Sequence, residues 1–307
     1  MISGLSASNE QFLASLNLLQ SNLNQADEQL ASGLRVNQAS DAPQSVEDIF
    51  QTRAELGQAN QTVQNLTTIQ GQVQTADSAV QSAIQLLNQA VSLGTEGAGP
   101  NMTLPQQQSL ASQVQGLEAQ LVAISATEVG GVFVFSGDAS GSPTYKVDTT
   151  SPTGVDRLIT PQQSTLKVAD PTGVTFQVSM TAQDLFDQRD INDNPTTNNA
   201  FAALNNLTQA LQSGNTANIT QAINGLQTAA NYVNNQTGFY GTAENNVTGA
   251  LDLAQKFQIQ DQTQLSGLVD ANAATVAVEV TQVTTALNAA MSAQAHKPTT
   301  SLFDFLH

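Results

Sequence analysis

The chain has 307 residues and a formal charge of −17, from 8 Lys plus Arg against 25 Asp plus Glu. A surface this acidic repels phosphate, which makes nucleic acid and anionic membrane poor partners, and the absence of Cys removes disulfides, thiolate metal sites and thiol nucleophiles. Charged residues are only 11% of the chain, so the surface relies on Gln, Asn, Ser and Thr, and with aromatics at 5% and no Trp the composition suits helical rods better than a compact enzyme core.

The opening stretch, MISGLSASNEQF, lacks a basic region followed by an apolar one, so no cleaved signal peptide is expected. No segment approaches the roughly 20 apolar residues of a membrane span. Phe12, Leu16, Leu19, Leu23, Ala26 and Leu30 alternate three- and four-residue steps, a heptad seam that Leu5 extends towards the N-terminus. Six such side chains do not offset the backbone entropy of ordering the helix, so a partner must cover the seam. The C-terminal seam is the first choice and other copies of the chain the second.

The stretch LASGLRVNQASDAP (30–43) breaks this helix with turn-forming residues, after which Ile49, Leu56, Ala59, Val63, Leu66, Val73, Ala76, Val80, Ile84, Leu87 and Val91 resume the helical habit. Three glycines and a proline in GTEGAGP (94–100) end it, and Pro105 opens a third helix carrying Leu110, Val114, Leu117, Leu121 and Ile124. The period then changes. GGVFVFSGDASGSPTYKV and STLKVADPTGVTFQVSM read as strands and turns, the second around Pro-Thr-Gly, and DINDNPTTNN (190–199) reads as a linker or loop. Helical spacing returns at Phe201, Leu204, Leu207 and Leu211, and runs on through Ile219, Leu226, Val233, Val247, Leu251 and Phe257. The last seam is Val276, Val280, Val283, Leu287 and Met291; the tail SLFDFLH adds the apolar Leu302 and Phe305.

The expected fold is mainly α. Long paired N- and C-terminal helices form a coiled-coil-like rod, and a small β-rich insert lies at its distal end. The expected divisions are 1–44 (terminal helix and turn), 45–129 (helical), 130–198 (β-rich insert and linker), 199–265 (helical) and 266–307 (terminal helix and tail).

Enzyme constellations are missing from the sequence. The only His are His296 and His307, and neither HExxH, a Gly-rich phosphate loop nor G-x-S-x-G occurs. Asp187, Asp190 and Asp193, three residues apart, fall short of an EF-hand and read as a solvated acidic loop. Asn-x-Ser/Thr triplets such as that at Asn65 are expected by chance in a chain so rich in Asn and Thr. The reading is of a non-enzyme with no catalytic residue, metal or cofactor.

The break at 30–43 resembles the signature turn of the bacterial flagellin superfamily, close to L-S-S-G-x-R-I-N-S-A-x-D-D, with Ser32, Gly33, Arg35, Asn37 and Asp41 on matching positions. These types suit a helix break. Gly33 permits φ > 0, Asn37 satisfies backbone groups or tolerates the left-handed region, and Ser40 or Asp41 caps the next helix with Pro43 in its first turn. Arg35 has two readings, a pair with a carboxylate of its own or a neighbouring subunit, or a solvated side chain. GFYGTAENNV resembles the family segment G-A-x-x-N-R-L through Gly241 and Asn245, with Asn246 in place of Arg. LSGLVDANAATVAVEVTQVTTALNAAM resembles the C-terminal D-A-D segment through Asp270 and Glu279, with Asn272 in place of Asp.

Within the superfamily, Ser40, Asp41 and Pro43 of SDAP, the segment VFSGDASGSPTY and the ending SLFDFL resemble the L-type hook-associated branch more than filament flagellins; Ala42 departs from its usual Asp. That resemblance implies a structural layer at the hook–filament junction, self-assembled into a tube through the terminal helices. Its neighbours would be the adjacent hook-associated protein and flagellin. It also implies type III export without a cleaved signal, an export chaperone, an extracellular place on the flagellum, and no nucleic-acid or membrane partner. The alternatives are the filament subunit itself and, from another class, a coiled-coil binding module unrelated to flagella.

Overall fold

Apolar side chains at three- and four-residue spacing place most of the chain in helices, and the structure, a computed structural model, describes residues 2–160 and 162–296, with side chains described from Asn9 onward. The helices are α1 (Ile2–Ser32), α2 (Val46–Gly97), α3 (Leu104–Ser125), α4 (Ala182–Phe186), α5 (Ala200–Ser213), α6 (Thr216–Val269) and α7 (Ala273–Ala295). The strands are β1 (Glu128–Val129), β2 (Val132–Phe133), β3 (Tyr145–Val147), β4 (Val155–Arg157), β5 (Lys167–Ala169) and β6 (Thr175–Gln177). They form three separate antiparallel hairpins, with Glu128 opposite Phe133, Tyr145 opposite Arg157 and Lys167 opposite Gln177.

Helix ends follow local chemistry. Thr103 opens α3 with a reciprocal box in which its N–H donates to Gln106 Oε1 at 2.9 Å, and Pro105 sits in the first turn. Asn199 Oδ1 accepts from Ala202 N at 2.9 Å to start α5, and Gly214 (φ +70°) ends it in the left-handed conformation. Gly173 (φ +92°) turns β5 into β6, where Asp170 Oδ1 accepts the Thr172 and Val174 amides at 2.8 and 2.9 Å.

The chain divides into two compact units, residues 1–59 with 257–307, and residues 60–256. In the second, Leu66, Val73, Val80 and Leu87 of α2, Val114 and Leu121 of α3, Leu204 and Leu211 of α5 and Leu226 and Val233 of α6 share one core. The hairpins belong to that same core through Phe135, Tyr145, Val155, Val168 and Val178. Phe135 meets Phe186 edge-on at 5.9 Å, and Tyr145 meets Phe201 at 5.0 Å.

Two sequence readings change here. Helix α2 ends at Gly97, within the expected 94–100 stretch, but Gly94 has another role. It lies inside the helix, where a Cβ would stand 2.9 Å from Ile223, and at Gly97 one would stand 2.3 Å from Leu211. These glycines let α5 and α6 approach closely. The acidic loop is solvated at Asp190 and Asp193 but not at Asp187, which is fully buried and accepts from Tyr145 Oη and Arg189 Nε, each at 2.9 Å, and from Asn199 Nδ2 at 2.6 Å. Arg157 pairs with Asp193, which holds the Asp193 carboxyl below its usual range, and burial together with Asp187 pushes the Tyr145 hydroxyl strongly up.

Removing Asp187 leaves the Tyr145 hydroxyl, Arg189 Nε and Asn199 Nδ2 without their shared acceptor. Asp187→Ala is therefore expected to destabilise the second unit by about 3–5 kcal/mol. Tyr145, Tyr232 and Tyr240 are the chain's three tyrosines and all lie in that unit, so tyrosine-monitored urea unfolding reads the loss directly.

Candidate functional site

The signature residues converge in the first unit, where two helix breaks are stitched to each other. Gly33 adopts φ +72° after α1, its N–H bonding Gln29 O at 2.9 Å. The following residues lie antiparallel to the break after α6, with Leu34 opposite Asp270. Arg35 N and Val36 N donate to Val269 O at 2.7 and 3.3 Å, and Ala271 N donates to Gly33 O at 2.9 Å. Beneath this short ladder Val36, Ala42, Ile49 and Val269 form a small core flanked by Leu34, Leu265 and Leu268.

Side chains close the remaining backbone groups. Ser32 Oγ accepts from Leu34 N at 3.1 Å, Asn37 Nδ2 donates to Leu34 O at 3.2 Å and Gln29 Nε2 donates to Arg35 O at 3.2 Å. Among the described residues Arg35 pairs with no carboxylate; its Nη2 donates to Leu268 O, tying it to the last turn of α6. Asp41 does not cap α2. Its Oδ2 accepts the amides of Asn37 and Gln38 at 2.9 and 2.8 Å, because Pro43 opens a separate 3-10 turn (Pro43–Ser45) and α2 begins only at Val46. Asp270 accepts from Ser266 Oγ, and Asn272 Oδ1 caps α7 by accepting from Ala274 N and Thr275 N at 3.1 and 3.2 Å. Two of the three departures from the family pattern are accommodated here: Asn272 serves as an N-cap as Asp does, and Ala42 is fully buried in the small core.

The terminal helices α1 and α7 pack on each other. Ala26, Val276 and Val283 are buried, and Phe12, Leu16, Leu19, Leu23, Val280 and Leu287 are half-buried. Leu30 and Met291, at 46% and 47% exposure, stand outside this seam; Gln29 and Ala290 occupy the half-buried steps beside them. Leu13, Leu18 and Val278 are also exposed. A shallow groove of about 620 Å³ runs along α7 past Ala277, Val278, Thr281, Thr285, Ala286 and Ala289. Leu302 and Phe305 lie outside the described residues, as does the side chain of Leu5.

The other family positions are not brought together. Gly241 and Asn245 are exposed one turn apart on α6 in the second unit, and Glu279 is exposed on α7. Among the described residues no three His, Asp or Glu cluster in a way that could hold a metal, and no helix is long and apolar enough to cross a membrane. The sequence reading missed the ladder itself, since backbone pairing between positions over 230 residues apart leaves no local pattern.

The chain matches the model of the bacterial flagellin N-terminal helical region over residues 3–140. Flagellin B of Helicobacter pylori is 31% identical over 114 residues, 37% of this chain, and the match spans only about a fifth (22%) of that protein's length. The fold resembles a protein of Vibrio parahaemolyticus assigned as flagellar hook-associated, with a TM-score of 0.63 at 15% identity, over 75% of this chain and all of that one. It also resembles the flagellar junction protein FlgL of Legionella pneumophila, with a TM-score of 0.54 at 10% identity, over 66% of this chain and 99% of that one. Over residues 3–140 the chain is similar to bacterial flagellin, and its fold is that of hook-associated, FlgL-like proteins.

A side chain forced into the left-handed region costs about 1–2 kcal/mol. Gly33→Ala is accordingly expected to speed hydrogen exchange at the Ala271 amide, bonded to Gly33 O, roughly five- to thirty-fold. Gly57→Ala, inside α2 with open space around it, leaves that rate unchanged.

Proposed function

We propose that this chain is a structural component of the bacterial flagellum, an adaptor layer at the hook–filament junction that packs beside copies of itself through its terminal helices. The observation that carries the reading is the hook-associated fold over 75% of the chain, joined to a flagellin N-terminal region at residues 3–140. Two features of the first unit support it. The α1–α7 seam leaves Phe12, Leu16, Leu19, Leu23, Val280 and Leu287 half-covered, and a second set, Leu13, Leu18, Leu30, Val278 and Met291, stands open beside it. Neighbouring copies, the adjacent hook-associated protein and flagellin supply the remaining cover.

On this reading the chain leaves the cell through the flagellar type III route, and a chaperone shields the C-terminal helix beforehand. Unpaired cations and aromatic platforms for nucleic acid have no place in it, nor does catalysis. The filament-subunit reading rests on the 31% identity to flagellin B. Abundance separates the two. Quantitative mass spectrometry of sheared flagella is expected to show this chain in trace amount beside a dominant second flagellin-like protein; dominance of this chain itself makes it the filament subunit.

Leu18, 62% exposed on α1, separates assembly from folding. Leu18→Asp is expected to leave thermal unfolding of the monomer within about 0.5 kcal/mol of wild type, yet to abolish filament growth from the hook, because the charge is buried unpaired in the assembled layer. Undiminished motility in this variant contradicts the assembly surface.

A further inference from the structure

Glu118 is the sole charged residue of α3, and it is 4% exposed with no hydrogen-bond partner on Oε1. Its carboxyl rests on the backbone of Gly154 in the turn that joins β3 to β4. A Cβ at Gly154 would lie 1.8 Å from Oε1, and Gly154 itself has φ +75°. The turn is closed internally, Asp148 N donating to Gly154 O at 2.9 Å and Gly154 N to Ser151 O at 3.0 Å. On its other side α5 holds it through Asn205 Nδ2, which donates to Pro152 O at 2.9 Å. The carboxyl is thus sandwiched between a helix and a backbone turn with nothing to neutralise it.

The charges on the neighbouring elements are committed elsewhere. Asp148 accepts from Thr150, Lys146 pairs with Asp156 at 3.0 Å, and Arg157 pairs with Asp193. Helix α5 carries no charged residue, and Glu96, in the last turns of α2, is exposed. Among the described residues no ion pair reaches Glu118.

We infer that Glu118 is a proton-operated latch: protonated, it lets the 148–154 turn close over α3, and ionised, it loosens that contact. The direction follows from burial, which raises the carboxyl from 4.5 to about 7. The closed state binds the proton more tightly than the open one, so its advantage is complete below pH 4.5 and is lost as pH rises to about 7. Between about pH 4.5 and 7 the hairpin passes from held to loosened.

Hydrogen exchange at the Asp148 and Gly154 amides of the full chain, corrected for intrinsic base catalysis, measures the opening equilibrium. Between pH 5 and pH 8 it is expected to rise roughly fifty-fold or more in the wild type and to stay flat in Glu118→Gln. A flat wild type, or a variant that keeps the rise, overturns the latch. Should the variant fail to fold, carbon-13 titration of glutamate side-chain carboxyls in the wild type decides. One glutamate with a midpoint near pH 7 supports the latch, and all midpoints in the ordinary carboxylate range refute it.

Discussion

Three backbone hydrogen bonds hold the first unit in register: Arg35 N and Val36 N to Val269 O, and Ala271 N to Gly33 O. They join two places where the chain leaves a helix, and each break is what allows the other to be satisfied. A helix end leaves up to four carbonyls or amides without partners. Here the carbonyl of Val269 and that of Leu268, used by Arg35, are filled from the N-terminal break, while Asn272 takes up the amides that begin α7. The pairing also sets where α1 and α7 start and stop, and with that which faces of the two helices meet. The seam between them is shallow, with Ala26, Val276 and Val283 its buried members. Apolar area alone would leave those helices marginal, so the ladder supplies geometry that the seam does not.

The second unit is built on the opposite principle. Its core is large and mostly apolar, and it is closed by aromatic pairs and by glycines that bring α5 and α6 against α2. Where polarity enters, it is satisfied around Asp187, whose partners fix the loop after α4 against the β3–β4 hairpin. Glu118 is a charged group there that is enclosed without an ion-pair partner. On the proposed assembly, packing against neighbours through the first unit while the second stays intact is served by placing conventional stability in the second.

Much of this was legible in the sequence because it is periodic or local. The heptad seams of α1 and α7, the change to strands, expected from residue 130 and observed from Glu128, the Pro-Thr-Gly turn and the left-handed glycine after α1 each leave a signal within a few residues. The resemblance carried by Ser32, Gly33, Arg35, Asn37 and Asp41 pointed to the break as the defining feature. What escaped depends on tertiary partners. Gly94 looks like a helix terminator and is a close-packing position, since only Ile223 and Leu207 reveal its role. Asp187 looks like one of three exposed acids until Tyr145, Arg189 and Asn199 surround it. Asp41 serves the turn behind it rather than the helix ahead, because an intervening 3-10 turn moves the start of α2 to Val46. Leu30 and Met291 fit the heptad on paper, but the seam between the paired helices ends before Leu30 and shifts to Ala290 near Met291.

The central claim is that the two breaks form one hydrogen-bonded element, and native-state hydrogen exchange of the intact chain tests it most directly. The account predicts that the Arg35, Val36 and Ala271 amides exchange together and as slowly as Val269, opening only when the first unit opens. Exchange of these three at the rates of unprotected loop amides, while Val269 stays protected, would contradict it.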